Sequence, residues 1–215
     1  MLGRIVASAA ILFASVSAFA GDGHDHQEAP ITDMSKAYTL IEQPQAVPAN
    51  GKVHVEELFW YGCGHCFSLE EHVESWAAKL PSDVQFSRIP AMFGKSWVIH
   101  AQLYYMGEVL GITETSHSDI FKAIHINGKR LQLKSEQKEF FAAYGVSEED
   151  FDKAYSSFTV KSRLQQGDKR IRAYRVSGVP AIVVNGKYLV DASSAGGQQN
   201  MFKVVDYLIA KERKK

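Results

Sequence analysis

The sequence predicts an α/β fold in which a sheet is interrupted by a block of helices. Three stretches carry that prediction. Val53 to Tyr61, the helix-patterned segment after it and Val84 to Ile89 make a strand–helix–strand unit, whose crossover should be right-handed. Residues 95–167 hold helical patterns and no convincing strand. Near the end, Asn185-Gly186 separates Ala181–Val184 from Lys187–Val190, which is a strong short-range hairpin signal.

In chain order, Arg4, the apolar run Ile5 to Val16 and Ala18-Phe19-Ala20 form an export signal with a small-x-small cleavage site, so residues 1–20 are expected to be removed. Gly21 to Pro30 has nothing to bury and reads as a leader; its His24 and His26 could bind a transition metal weakly, but a solvated tail is the favoured reading, because nothing downstream in the sequence completes a coordination sphere. Removing Arg4 with the signal leaves 23 basic against 24 acidic residues. That balance gives no reason to expect nucleic acid or an anionic membrane as partner.

Tyr38 to Ile41 reads as a short edge strand. Val53 to Tyr61 alternates so that Val53, Val55, Glu57, Phe59 and Tyr61 share a face, while Leu58 and Trp60 make the far end apolar on both sides. Glu57 therefore falls among residues that call for burial. Leu69, Val73, Trp76, Ala77 and Leu80 form one stripe of a helix stopped by Pro81. The helical block then reads as Trp97–Leu110, Asp119–Ile126, Glu136–Tyr144 and Glu148–Phe158, with Ser147 and Asp150 resembling a weak capping box. A helix from Val160 to Tyr174 leads back to the sheet, and an amphipathic helix through Met201, Val204, Val205, Leu208 and Ile209 closes the chain.

Cys63 and Cys66 are the only cysteines in 215 residues, too few for a disulfide-stapled scaffold. They open the helix that follows the first long strand, and Cys-x-x-Cys at such a junction is a thioredoxin-like redox signature. The helix N-terminus favours a thiolate on Cys63, and His65 can add a donor or a positive charge. Two plainer readings stand beside it. A permanent disulfide closing so short a loop would restrain little chain entropy, and a zinc site would need ligands beyond one cysteine pair. Glu70 and Glu71 read as a solvated helix face, and His54, His72, His100, His117 and His125 are scattered, with no role assigned.

The chain resembles the DsbA family of bacterial periplasmic thiol:disulfide oxidoreductases. The resemblance rests on Glu57 six residues before Cys63, on Cys63-x-His65-Cys66, on Glu70-Glu71, on Phe158-Thr159-Val160-Lys161-Ser162, and on Gly178-Val179-Pro180-Ala181 running into Val184-Asn185-Gly186-Lys187-Tyr188. It implies a thioredoxin-like fold with an inserted all-helical domain: 31–94 and 168–215 as the discontinuous thioredoxin-like part, 95–167 as the insertion. It further implies Cys63 as the attacked sulfur, Cys66 as the resolving thiol, Glu57 as a proton relay to Cys66, and no cofactor or metal. Val179 and a cis Pro180 would meet an extended peptide, although trans is the default for X–Pro. The implied partners are exported proteins with free cysteines and a DsbB-type membrane reoxidase, met as a monomer in the periplasm. One departure stands out: Gly64 occupies the place where the family most often has Pro. The sequence Cys-Gly-His-Cys is typical of protein disulfide isomerases, which makes isomerase or reductase the nearest rival. A thiol-based metal-binding or peptide-holding protein is the rival from another class.

Overall fold

A computed structural model describes Glu28 and residues 30–214. The expected export signal and most of the leader, including His24 and His26, lie outside the described residues. The elements run β1 (Thr39–Leu40), β2 (Val53–Phe59), α1 (Gly64–Ala77), β3 (Val84–Pro90), α2 (Lys95–Leu110), α3 (Thr113–His125), α4 (Lys134–Ala142), α5 (Glu148–Ser156), α6 (Phe158–Tyr174), β4 (Ala181–Val184), β5 (Tyr188–Asp191), α7 (Ala192–Ala195) and α8 (Gln198–Glu212).

The five strands lie in the order β1-β5-β4-β2-β3. β2 and β3 are parallel, as the predicted strand–helix–strand unit requires, from Val53 opposite Val84 to Phe59 opposite Pro90. β4 runs antiparallel to both β2 and β5. The hairpin between β4 and β5 turns at Asn185 and Gly186, both at positive φ (49° and 64°), as a type I′ turn demands. Only glycine fits at Gly186, because a Cβ there would sit 2.2 Å from the Gln45 carbonyl oxygen.

All seven residues of β2 are buried, so its alternation sorts side chains between packed layers rather than between core and water. Val53 and Val55 meet Leu69 and Val73 of α1 and Val204 and Leu208 of α8. On the other face Leu58 packs with Ile89, Val183 and the Ile171 and Tyr174 side chains of α6. Phe59 and Tyr61 leave the first layer and enter a third cluster with Leu103, Phe121, Phe141 and Phe151 of the helical block. Cys66 belongs to that cluster too. The helices thus close over the end of the sheet where the cysteines emerge.

Several expected boundaries move. The largest shift is at α3, which begins at Thr113 rather than Asp119, because Thr113 to Ser118 is polar and carries no apolar stripe to mark it. α1 ends at Ala77, before Pro81, and Leu80 packs from the turn beyond it. Ser157 is at once the C-cap of α5 and the N-cap of α6, so Phe158 opens α6 rather than closing α5. The Ser157 hydroxyl accepts the Val160 N–H at 3.1 Å, which starts a new helix after a one-residue break. At Ser147 the hydroxyl accepts the Asp150 N–H (3.1 Å) and donates to the Asp150 carboxylate (2.7 Å); the pair caps the helix without the reciprocal backbone bond of a full capping box.

Candidate active site

β2 delivers the chain to a tight turn in which the Cys63 N–H donates to the Trp60 carbonyl at 2.9 Å. Gly62 is required there, since a Cβ would lie 2.3 Å from the Trp60 ring. That ring is held by a parallel stack on Trp97 of α2, with centroids 4.0 Å apart. Cys63 is the N-cap of α1, in extended conformation (φ −89°, ψ 116°), so its side chain faces the unpaired N–H groups of the first turn.

The two sulfurs are free thiols in different surroundings: Cys63 half-buried, Cys66 fully buried. A hydrogen bond from the Cys66 thiol does most to hold Cys63 down, to about 6. Partial burial opposes this, while the backbone N–H groups of Cys66 and His65 and the charge of His65 add to it. Burial and the neighbouring Cys63 sulfur push the Cys66 thiol far up. One turn therefore holds a sulfur poised to ionise and a sulfur that keeps its proton.

The Val179–Pro180 bond is cis, as expected, and the Val179 carbonyl oxygen lies 3.5 Å from the Cys63 Sγ. A groove of about 710 Å³ runs beside it, lined by His65, Leu69, Val179, Pro180, Asp191 and Gln198 among others. His65 is exposed, and its carbonyl accepts from Gln198 Nε2 at 2.9 Å. Gly64 is exposed as well, and a Cβ on it would meet nothing within 4 Å.

Glu57 is 1% exposed. Its Oε2 accepts from Arg88 Nε at 2.9 Å, and its Oε1 has no partner. Burial raises its carboxyl to about 7 against the opposing pull of Arg88. Glu57 is also near enough to Cys66 to disfavour its thiolate.

The solvated helix face expected for Glu70 and Glu71 is half wrong. Glu71 is exposed, but Glu70 is 3% exposed and joined to Arg88 Nη2 at 3.2 Å. The reason is helical spacing: Glu70 follows Cys66 by four residues and so looks inward with it. Burial raises Glu70 to about 7 as well. Glu74 adds a third carboxylate to Arg88, at 2.6 Å.

Arg88, His117 and His125 were missed by the sequence reading. Arg88 stands opposite Glu57 in the β2–β3 register, a signal available once the parallel pair is assumed. His117 Nδ1 lies 2.7 Å from the Tyr61 hydroxyl, and His125 Nε2 lies 2.8 Å from the Tyr61 carbonyl. No local spacing announces contacts across 56 and 64 residues of sequence. His100 Nε2 lies 2.9 Å from the Arg130 carbonyl, and its ring packs beside Trp60 and Tyr61 of the turn before Cys63. Among the described residues no group of three or more His, Cys, Asp or Glu side chains is arranged to hold a metal ion.

Comparison with known proteins agrees with this geometry. The family profile described as DSBA-like thioredoxin domain matches residues 68–208. The thiol:disulfide interchange protein DsbA of Azotobacter vinelandii is 48% identical over 183 residues, covering 84% of this chain and 86% of that protein. The protein of the same name from Pseudomonas aeruginosa strain PAO1 is 40% identical over 210 residues, covering 98% and 97%. The crystal structure of Pseudomonas aeruginosa DsbA superposes with a TM-score of 0.79 at 43% identity, covering 84% of this chain and 94% of that one. A meningococcal oxidoreductase, NmDsbA1, at 23% identity and a TM-score of 0.72, shares the fold. The mixed sheet with its helical insertion is the thioredoxin-like DsbA fold, and the chain belongs to the family of DSBA-like thioredoxin domains.

Proposed function

We propose that this chain is an exported thiol:disulfide oxidoreductase that donates its Cys63–Cys66 disulfide to folding proteins in the periplasm. The observation that carries the reading is the pairing of a half-buried, readily ionised Cys63 at a helix N-terminus with a buried Cys66 that holds its proton. A substrate thiolate attacks Cys63 in the oxidised protein. The S–S bond to Cys66 breaks, a mixed disulfide forms at Cys63, and Cys66 leaves and takes up a proton. A second substrate thiolate then attacks the substrate sulfur of the mixed disulfide, releasing Cys63 as thiolate. The substrate loses two electrons and gains a disulfide; the protein gains both electrons as a dithiol.

In this scheme Glu57 is assigned the proton relay to Cys66, supported by its burial and its pKa of about 7. Val179 and Pro180 are assigned the backbone and apolar contacts to an extended client, supported by their place on the groove beside Cys63. His65 supports the thiolate electrostatically. Residues 95–167 are assigned the inserted domain that shields Cys66, with α6 continuing across its boundary. Reoxidation of the dithiol is assigned to a DsbB-type membrane partner, and periplasmic location rests on Arg4, the apolar run and Ala18-Phe19-Ala20.

The strength of oxidation follows from the same thiol. With Cys63 at about 6, the reduced form gains about one pH unit of stabilisation at pH 7, roughly 1.4 kcal/mol or ~30 mV, before a discount for solvent screening. A thiol near about 4 would give roughly 90 mV. Equilibration with glutathione buffers tests the direction. A potential well above thioredoxin's roughly −270 mV supports the donor, and a thioredoxin-like one supports the reductase. Cys63→Ser is expected to abolish exchange. Cys66→Ser is expected to accumulate mixed disulfides through Cys63, visible as higher-mass species on non-reducing gels.

A further inference from the structure

The turn that presents Cys63 is tied to helix α3 twice, and both ties are to Tyr61. His125 Nε2 holds the Tyr61 carbonyl at 2.8 Å, and His117 Nδ1 meets the Tyr61 hydroxyl at 2.7 Å. Tyr61 is 1% exposed and His117 is 2% exposed, so neither side chain is held by water. The other nitrogen of His117 faces the cluster beneath Cys66: Nε2 lies 3.4 Å from Glu70 Oε2. Both of those atoms are buried, and neither has a hydrogen-bond partner; each is the polar group that the other faces.

The protonation pattern follows. Burial holds the Tyr61 hydroxyl in its protonated form, so it can donate to His117 Nδ1. The ring proton then sits on Nε2, aimed at Glu70. Burial and the charge of Arg88 keep the imidazole neutral, at about 3. A neutral donor stabilises a carboxylate without adding charge to a buried site.

The cluster needs such a donor. Glu57 from β2, Glu70 and Glu74 from α1 and Arg88 from β3 converge, with the Tyr104 hydroxyl of α2 feeling the same guanidinium. Glu74 is exposed, but Glu57 and Glu70 are buried on the same guanidinium. That leaves excess negative charge away from water, so the two buried carboxylates compete to keep a proton. A hydrogen bond to Glu74 draws that proton onto Glu70. Against that stands the His117 Nε2, which faces Glu70 Oε2 at 3.4 Å.

We propose that His117 is a positioning residue for disulfide exchange: it fastens the turn carrying Cys63 to the carboxylate cluster under Cys66 and, by donating to Glu70, leaves the cluster's proton on Glu57. The inference rests on the exchange reaction proposed above, in which Glu57 is the carboxyl that needs the proton.

The test compares His117→Phe, which keeps a ring against Phe59 and Phe121 but removes both nitrogens, with His117→Gln, which keeps a donor and an acceptor. Side-chain carboxyl NMR of the folded dithiol protein would follow Glu57 and Glu70 against pH. His117→Phe is expected to raise the Glu70 midpoint by about one unit, a tenfold change in proton affinity, and to lower that of Glu57. His117→Gln is expected to restore part of both shifts. Glu57 and Glu70 curves in His117→Phe that superimpose on the parent's would overturn the proposal. If His117→Phe does not fold, Tyr61→Phe removes only the hydroxyl, and its Glu70 curve must move the same way for the proposal to stand. A parent protein that fails to oxidise model dithiols would strike the exchange reading instead, and would leave these titrations as they are.

Discussion

Arg88 binds three carboxylates at once, Glu57 at 2.9 Å, Glu70 at 3.2 Å and Glu74 at 2.6 Å, and its arrangement sets the pH behaviour of the residues around it. Glu57 has a folded-state value of about 7 against an ordinary 4.5. The folded protein therefore binds more protons than the unfolded chain between those limits. Stability from this group is greatest below 4.5 and falls as pH rises through 7. Glu57→Gln removes that loss, so the decline in unfolding free energy from about pH 5 to about pH 8 should shrink by on the order of 1–3 kcal/mol. Parallel declines in urea titrations of the two proteins would mean that Glu57 is not raised. Gly64 supplies a second test. It is the first residue of α1, Cys63 before it is already extended, and a Cβ meets no atom within 4 Å. Gly64→Pro should therefore stabilise the fold by about 0.4–1 kcal/mol through the unfolded chain. Destabilisation instead would show that the Gly64 N–H has a partner. The cis Pro180 follows only from the family resemblance, since trans is the default for X–Pro, whereas the cysteines and the buried Glu57 could be read from local patterns, a helix start and an apolar strand. Arg88 and His117 could not, because what buries them is register and tertiary packing.

At the scale of elements, hydrophobic periodicity located every strand of the sheet, and the Asn185-Gly186 turn fixed the hairpin. What periodicity does not encode is where one helix stops and the next starts when both bury the same side. α5 and α6 meet at a single residue, and the apolar pattern runs through it: Phe151, Ala154 and Val160 all enter one cluster. The break is made by Ser157 alone, through its hydroxyl on the Val160 N–H. Ser157→Ala should cost about 1 kcal/mol, as loss of an N-cap does. Ser157→Asp, which restores an acceptor and suits the helix dipole, should recover it. Equal stabilities for the two variants in thermal unfolding would argue that packing, not the cap, separates the helices. The same logic explains Glu70: on a helix with only a few buried positions, its place one turn after Cys66 outweighs its charge.

For the molecule as a whole, the helical insertion and the sheet share one core at the active site. Phe59 and Tyr61 from the β2 end, Cys66 from α1, Leu103 from α2, Phe121 from α3, Phe141 from α4, Phe151 from α5 and Val160 from α6 form a single buried cluster. α6 then carries Ile171 and Tyr174 onto the opposite sheet face, so one rigid helix spans both halves of the fold. Cores joined in this way are expected to melt together rather than in turn. Phe151 tests this at a distance from the cysteines. It is 1% exposed, stacks near Tyr155 and meets Phe141 edge-on, so Phe151→Ala should cost about 3–5 kcal/mol through lost burial and a residual cavity. Fluorescence is read from Trp76 of α1, which packs against Phe86 of β3 and Phe202 of α8, in a background with Trp60 and Trp97 replaced by phenylalanine. That signal and far-ultraviolet circular dichroism from all the helices should then shift to lower denaturant by the same amount. If the dichroism moved alone while the tryptophan signal held its parent midpoint, the helical insertion would be an independently folding unit and the shared core would not couple it to the cysteines.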